Sequence, residues 1–236
     1  MIADYSLLAL IIGSVMVLSI ALKKLTLMGA LMGGLIGLGV YAGAGFTGIS
    51  WLGAFFSLGI AASMHKQNWK ETAGVDDKKE RVRTAGQVLA NGGVAGLIGF
   101  ASLLTPQHAA ALQVMMAASF ASATADTISS ELGVVYGRHF YNIRTLKKDQ
   151  RGLDGVISFE GTILGLFGSV LIAIIYAISL GISKNFVWII IAGTTGNLAD
   201  SYLGATLERA QILNNNAVNF LNTLVAALVA GLLLQL

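Results

Sequence analysis

Residues 25–64 read LTLMGALMGGLIGLGVYAGAGFTGISWLGAFFSLGIAASM and contain no Asp, Glu, Lys or Arg. A helix needs roughly 20 apolar residues to cross the hydrocarbon core of a bilayer, so this stretch is long enough for two crossings. The glycine-rich residues 43–48 are the expected turn between them. Further uncharged stretches cover residues 5–22, 84–125, 161–183 and 210–236. These stretches predict an integral membrane protein.

The composition supports the same class of protein. Charged residues make up 11% of the 236 residues, whereas a soluble domain carries roughly 25%. The chain has no cysteine, which excludes disulfides and cysteine-ligated metals, and its three histidines are scattered. Asp4 precedes the first apolar run and Lys23 and Lys24 follow it, a pattern typical of an uncleaved helix rather than a signal peptide.

We predict an all-α, polytopic transmembrane bundle that forms a single domain over residues 1–236. It has about eight helices (seven or eight), at approximately residues 4–22, 25–43, 48–64, 86–104, 108–135, 157–182, 186–207 and 215–235. Glycines at four-residue spacing, such as Gly29, Gly33 and Gly37, are expected to let helices pack closely.

The placement of positive charge predicts the topology. Fourteen of the 15 Lys and Arg, including Lys78, Lys79 and Arg81, fall in the alternate dividers 23–24, 65–85, 136–156 and 208–216. Cytoplasmic loops collect Lys and Arg, so these dividers are expected to face the cytoplasm and both termini to face outside. The expected location is a prokaryotic inner membrane.

Five acidic residues lie inside or at the edge of apolar segments: Asp126, Glu131, Glu160, Asp200 and Glu208. An ionised side chain at the centre of a bilayer costs roughly 2.5–3.5 kcal/mol, so such residues indicate a functional site by default. The alternative is a position at the headgroup boundary, paired with Arg138 or Arg209.

The spacing of these acids suggests a metal site. Asp126 and Ser130 share one helix face, and Asp200 lies beside Gly204 on another helix. Mg²⁺ prefers oxygen ligands and usually binds through one or two carboxylates together with substrate phosphates. Asp126 and Asp200 are therefore the predicted magnesium ligands.

A basic, glycine-containing loop lies between the two acids. Lys147, Lys148 and Arg151 precede Gly152 and Gly155, and a helix then begins near Ser158, Glu160, Gly161 and Thr162. Free backbone N–H groups at a helix N-terminus bind anions, and neighbouring cations neutralise phosphate charge. The alternative for the charges alone is ordinary topology and contact with lipid headgroups.

Further polar residues fall at the same predicted end of the bundle. Gln87 and Asn91 are four residues apart in a helix that starts after Arg83, and Asn216 and Asn219 begin the last helix. Amides in a membrane need hydrogen-bond partners, so these residues either join helices or hold a substrate.

Five segments together resemble the integral membrane family that includes plant and cyanobacterial phytyl-phosphate kinases. They are residues 83–92 (RTAGQVLANG), 125–133 (ADTISSELG), 152–162 (GLDGVISFEGT), 200–206 (DSYLGAT) and 216–219 (NAVN). They define a family-like catalytic core at residues 83–219.

The resemblance implies phosphoryl transfer from a nucleoside triphosphate, with CTP as the leading candidate, to an isoprenoid monophosphate. It also suggests distant kinship with CTP-dependent polyprenol kinases, whose Glu-Gly-Thr motif is similar to residues 160–162, so the free alcohol stays open as acceptor. The implied roles are Mg²⁺ ligation by Asp126 and Asp200, with Glu131 as further ligand or base. The nucleotide and phosphate residues would be Lys147, Lys148, Arg151, Gly152, Gly155, Ser158, Glu160, Gly161 and Thr162, and the substrate-orienting residues Arg83, Gln87, Asn91, Ser130, Ser201, Asn216 and Asn219.

Three rival functions remain at this point: a CDP-lipid synthase that attacks the α-phosphate, an ion-coupled transporter, and a scaffold without chemistry. The expected partners are the nucleotide, the isoprenoid lipid and membrane lipids, with no nucleic acid and a possible homo-oligomer.

Overall fold

The computed structural model describes residues 2–74 and 82–236, without the side chains of residues 2 and 3. Lys78, Lys79 and Arg81 lie outside the described residues. The described part is an all-α bundle, as predicted. Its α-helices are α1 (Ile2–Ala21), α2 (Leu27–Met64), α3 (Gln67–Thr72), α4 (Ala85–Leu104), α5 (Ala109–Tyr136), α6 (Phe159–Leu180), α7 (Lys184–Leu203) and α8 (Asn215–Leu233).

Shorter elements join these helices. A 3₁₀ turn, Pro106–His108, connects α4 to α5, and a π-helical turn, Gly204–Glu208, extends α7. The strands β1 (Tyr141–Asn142) and β2 (Val156–Ile157) pair antiparallel and organise the loop between α5 and α6. The short helix α3 was not expected from the sequence; it occupies part of the polar divider 65–85.

The chain reverses direction within α2 at Gly45. This glycine has φ 58° and ψ −146°, a conformation open to glycine alone. A Cβ built on Gly37 would lie 3.7 Å from Leu52 Cδ2, whereas a straight helix would separate these residues by roughly 22 Å along its axis. The two halves, residues 27–44 and 46–64, therefore form a hairpin, which confirms the predicted pair of helices.

The bundle is arranged around α5, which packs against α2, α4, α6, α7 and α8. In the described part of the chain, α1, α2, α4, α6 and α8 are long and apolar enough to span a membrane. The central helices α5 and α7 are also long, but polar residues interrupt their apolar sequences, and some of these, such as Ser119, Ser122 and Asn197, are buried in the bundle. With α2 counted as two helices, the described part of the chain contains eight long helices, the number predicted.

Close helix contacts depend on small residues. A Cβ on Gly165 of α6 would lie 2.9 Å from Ser129 Cβ of α5, and one on Gly29 of α2 would lie 2.6 Å from the carbonyl oxygen of Arg83. A larger side chain would separate these elements, which confirms the predicted packing role of the glycines.

Both termini lie at the same end of the bundle as the reversal in α2. The rings of Tyr5 and Tyr41 are 6.3 Å apart, and Gln113 Nε2 donates to the carbonyl of Gly43 at 3.1 Å. At the C-terminus, Gly231 lies against Met115. The basic dividers meet at the opposite end, and that this end faces the cytoplasm stays a prediction.

Candidate active site

A polar cavity of about 430 Å³ opens at the end of the bundle where the basic dividers meet. The ends of α2, α4, α5, α7 and α8 and the loop before α6 form its walls. Fourteen predicted site residues line it: Arg83, Gln87, Asn91, Asp126, Ser130, Glu131, Gly152, Gly155, Ser158, Gly161, Thr162, Asp200, Ser201 and Asn219.

Two carboxylates from different helices meet on the cavity wall. The carboxyl groups of Asp126 of α5 and Asp200 of α7 lie close enough to interact directly with each other. Asp200 Oδ1 also accepts a 2.7 Å bond from Nδ2 of Asn222, whose Oδ1 accepts from Ser122 Oγ at 3.0 Å. Because Asn222 is fully buried, this chain of bonds fixes where the Asp200 carboxylate points.

The carboxylate pair suits a magnesium ion bound together with a phosphorylated substrate. Within residues 2–74 and 82–236, no three His, Cys, Asp or Glu side chains form a complete metal cluster. Mg²⁺ commonly takes only one or two protein carboxylates and completes its octahedral shell with water and phosphate oxygens. Asp154 and Glu208 also line the cavity and add negative charge that favours cations.

Of the two arginines considered as partners of the five acids, Arg138 pairs with one of them, Glu160, and Arg209 pairs with a loop acid, Asp149. Arg209 Nη1 lies 2.9 Å from Asp149 Oδ2, and Arg138 Nε lies 4.0 Å from Glu160 Oε1. The headgroup-boundary pairing with Arg138 or Arg209 is therefore not what the structure shows for Asp126 or Asp200. Glu160, a predicted phosphate-binding residue, is not among the residues that line the cavity.

Glu131 is held by partners that the sequence did not indicate. Its Oε2 accepts a 2.6 Å bond from Lys70 Nζ, and its Oε1 accepts a 2.7 Å bond from Ser63 Oγ. Lys70 is 1% exposed and also donates to the carbonyl of Ala62 near the end of α2. Both carboxylate oxygens are thus engaged, which favours a role in positioning α3 against α5 over one as a base.

The basic residues that were predicted to bind phosphate do not line the cavity. Lys147 and Lys148 are exposed and lie off the cavity wall. The guanidinium of Arg151 lies 4.7 Å from the ring centre of Phe140 and 5.4 Å from that of Trp69, so it joins the loop to α3. In the described residues, Lys24 and Arg83 are the cations on the wall.

The loop before α6 is rigidly built. Asn142 Oδ1 accepts from the backbone N–H groups of Arg144 and Thr145 at 3.0 and 3.1 Å. Gly155 has φ 67°, and a Cβ there would overlap the backbone of Ala205. Arg209 Nε donates to the carbonyl of Asp154 at 2.7 Å. These contacts hold the loop against the end of α7.

Contacts within and next to the same loop lower the pKa of the Asp149 carboxyl. It accepts from the backbone N–H of Gln150 at 2.8 Å and pairs with Arg209. These interactions, the Gln150 bond foremost, hold the pKa of the Asp149 carboxyl below its ordinary value. The ion pair therefore persists at neutral pH and fixes the loop.

Several predicted ligand residues serve as helix caps. Thr84 and Gln87 form a reciprocal capping box at the start of α4. Ser158 caps α6 by accepting from the N–H of Gly161 at 3.1 Å, and Thr162 Oγ1 donates to the carbonyl of Ser158. The Thr-x-x-Gln pattern of residues 84–87 is the sequence signature of this capping box.

Comparison with known proteins places the chain in a family. Residues 10–227 match the family model described as integral membrane protein DUF92. The chain belongs to the DUF92 family. This confirms the family resemblance drawn from the sequence. No solved structure gives a significant match to this DUF92 chain.

Three relatives come from different branches of life. Protein VTE6, chloroplastic, from Arabidopsis thaliana is 32% identical over 83% of the chain, but the match spans only 60% of VTE6. The uncharacterized membrane protein MJ0933 of Methanocaldococcus jannaschii is 34% identical, over 80% of the chain and 77% of that protein. The uncharacterized membrane protein sll0875 of a Synechocystis species is 30% identical, over 83% and 77%.

The remaining predicted residues of this DUF92 protein bond mainly within their own helices. Asn91 Nδ2 donates to the Gln87 carbonyl at 3.0 Å, Ser130 Oγ to that of Asp126 at 2.9 Å, and Ser201 Oγ to that of Asn197 at 3.3 Å. On α8, Asn219 Nδ2 donates to Asn215 Oδ1 at 3.0 Å, and the Asn216 amide lies beside Gly86. All of these predicted residues except Asn216 line the cavity, where their other polar atoms can contact a substrate.

Two buried amides of the DUF92 site were missed by the sequence analysis. Asn222 supports Asp200, and Asn197 Oδ1 accepts a 3.1 Å bond from Ser129 Oγ between α7 and α5. Both are buried asparagines in membrane helices, a signal that could have revealed them. Lys70 carried no such signal because it is one of several cations in a polar divider.

Proposed function

We propose that the protein transfers a phosphoryl group from a nucleoside triphosphate to an isoprenoid monophosphate or alcohol at the cytoplasmic face of the membrane. CTP is the leading candidate for the nucleotide. The observation that carries this proposal is the contact between Asp126 and Asp200 on the wall of a polar cavity at one end of the bundle. The family resemblance implies the same reaction on an isoprenoid lipid, and the match to the DUF92 family supports that resemblance.

The reaction balances without further reagents. An oxygen of the acceptor attacks the γ-phosphorus, the bond from that phosphorus to the bridging oxygen breaks, and the nucleoside diphosphate leaves. An alcohol acceptor also loses its hydroxyl proton, which passes to water in the open cavity. A bound Mg²⁺ would supply charge neutralisation to the nucleotide phosphates. Catalysis in this class of reaction is mostly positioning and electrostatic stabilisation, which asks little of the protein beyond a rigid, correctly charged cavity.

The chain's own residues meet these requirements. Asp126 and Asp200 would hold the ion, and Asn222 orients Asp200. Asp126 lies ten residues from the end of α5, roughly 15 Å along the helix axis. A nucleotide can enter from the open end of the cavity.

The test compares Asp126→Asn and Asp200→Asn with Asp4→Asn, the same change at the opposite end of the bundle. Purified protein in lipid nanodiscs is incubated with γ-labelled CTP or ATP, Mg²⁺ and a panel of isoprenoid alcohols and monophosphates. We expect label transfer by the wild type and by Asp4→Asn, and a loss of at least about 100-fold in the two cavity variants, since each removes a metal ligand. Unchanged transfer by either cavity variant would remove that residue from the site.

Product analysis separates the rival reactions. A phosphoryl transferase releases CDP, whereas a CDP-lipid synthase releases pyrophosphate and retains the cytidine on the lipid. A transporter would bind no nucleotide, and it would move cations across liposomes in an Asp126-dependent way. Pyrophosphate release, or cation transport without nucleotide binding, would replace the kinase proposal.

A further inference from the structure

Two cations on the cavity wall, Lys24 and Arg83, belong to segments whose backbones are hydrogen-bonded to each other. The Arg83 N–H donates to the carbonyl of Lys24 at 3.0 Å, and the Thr26 N–H donates to the carbonyl of Arg83 at 3.1 Å. This short parallel bridge joins the segment before α2 to the segment before α4. Lys24 and Arg83, distant in sequence, therefore line the same part of the cavity.

The Arg83 side chain reaches into the bundle. Its guanidinium lies 5.9 Å from the ring centre of Phe55, and a Cβ on Gly59 would lie 3.0 Å from Nη2. Phe55 is nine residues from the end of α2, roughly 13 Å along the helix axis. The positive charge therefore lies well below the open end of the cavity, beside an aromatic and apolar surface.

The nearest acid does not neutralise this charge with an ion pair. Glu131 acts on Arg83 electrostatically, but its two oxygens already accept from Lys70 and Ser63. Among the residues that the structure describes, the Arg83 guanidinium makes no hydrogen bond or ion pair, and neither does Lys24 Nζ. Lys70 and Glu131 cancel each other, which leaves two positive charges for an anion.

We propose that Lys24 and Arg83 form a second subsite, which binds the phosphate monoester of the lipid acceptor. This inference rests on the proposed function. Two phosphorylated substrates repel each other, so each needs its own neutralising charge. The nucleotide phosphates have the ion on the carboxylate pair, whereas the acceptor phosphate depends on protein cations. An arginine fork binds phosphate bidentately, and the apolar side chains of Ile60 and Met64 on the cavity wall suit the start of a prenyl chain.

A binding measurement tests the subsite without turnover. The probe is a non-transferable prenyl phosphonate, titrated into the full-length protein in nanodiscs without nucleotide or Mg²⁺. Arg83→Gln and Lys24→Gln are each expected to weaken binding at least tenfold, and Arg83→Lys is expected to retain part of it. Lys23→Gln is the matched control, because this neighbour is exposed and lies off the cavity wall.

Kinetics assign the subsite to the acceptor. With CTP and a prenyl monophosphate, Arg83→Gln and Lys24→Gln should raise the KM for the monophosphate at least tenfold and change the KM for CTP less than twofold. A rise in the KM for CTP alone, wild-type phosphonate binding by both variants, or equally tight binding of inorganic phosphate would overturn the inference. If Arg83→Gln does not fold, Lys24→Gln and Arg83→Lys provide the test. Cation-dependent phosphonate binding in a protein without kinase activity would reject the proposed function and keep the subsite.

Discussion

Asn222 Nδ2 of α8 donates a 2.7 Å hydrogen bond to Asp200 Oδ1 of α7, and it does so from a fully buried position. The same amide accepts from Ser122 of α5. Three helices thus share one hydrogen-bonded chain that ends at the candidate metal ligand. The orientation of that ligand depends on the packing of the whole bundle.

Asn222→Ala should reduce both stability and activity. The change leaves the Ser122 hydroxyl and one Asp200 oxygen without this partner, which costs about 1–3 kcal/mol for buried groups. Activity should fall at least tenfold, and the Mg²⁺ concentration that gives half-maximal activity should rise, because Asn222 positions a metal ligand. Thermal unfolding and Mg²⁺ titrations provide the measurements. Asn185→Ala, which removes a 3.0 Å bond to Tyr176 far from the cavity, should lower stability and leave the Mg²⁺ requirement unchanged.

Asp126→Asn should stabilise the protein while it abolishes turnover. Two carboxylates in contact repel each other when both are ionised, and an amide at position 126 can instead donate to Asp200. Without divalent ions, we expect Tm to rise by about 2–4 °C, equivalent to about 1 kcal/mol in a chain of this size. Intrinsic tryptophan fluorescence in EDTA measures this, and a lower Tm would contradict the repulsion argument.

The Lys70–Glu131 pair predicts a non-additive mutant cycle. Lys70→Met removes the cation and leaves a half-buried carboxylate, so it should cost about 1–3 kcal/mol, less than a fully buried pair because Glu131 is 30% exposed. The double variant with Glu131→Gln should be more stable than Lys70→Met alone. Denaturant unfolding of the four proteins measures the coupling energy. Additive effects would show that the pair contributes nothing to holding α3.

Gly155→Ala should displace the loop before α6. Position 155 has positive φ, and the added Cβ would meet the backbone of Ala205, so strain and overlap act together. Gly181 also has positive φ, but a Cβ there meets open space, so Gly181→Ala isolates the strain. We expect Gly155→Ala to lose at least about 2 kcal/mol and most activity, and Gly181→Ala to lose about 1 kcal/mol and retain activity. Equal effects on activity would exclude a role for the contact with Ala205.

The ion pair of Asp149 and Arg209 predicts a pH dependence of stability. Since the folded protein lowers the pKa of Asp149, the pair stabilises the protein fully above the ordinary pKa, about 4. That contribution is lost as the pH falls through the lower folded value. The Tm difference between wild type and Asp149→Asn should therefore be largest near pH 6 and shrink toward pH 3. A difference that does not change with pH would contradict this linkage.

Much of the fold could be predicted because its signals are local. The apolar run at residues 25–64 and the glycines within it predicted two crossings, and Gly45 is where the chain reverses. The partners of Glu131 could not be predicted, because Lys70 lies 61 residues away and resembles other loop cations. Likewise, the sequence suggested that Lys147 and Lys148 bind phosphate, whereas the cations on the described cavity wall are Lys24 and Arg83.

The sequence by itself determined that this chain is a bundle of membrane helices with its polar residues gathered toward one end. The hydropathy and charge of a helix depend only on residues that are close together in the sequence, so the sequence alone reveals them. Only the tertiary structure decided that Asp126 meets Asp200, that Asn222 supports this pair and that Lys70 neutralises Glu131. Those contacts join helices whose relative rotation is set by close packing of small residues, and such packing is a property of the whole bundle.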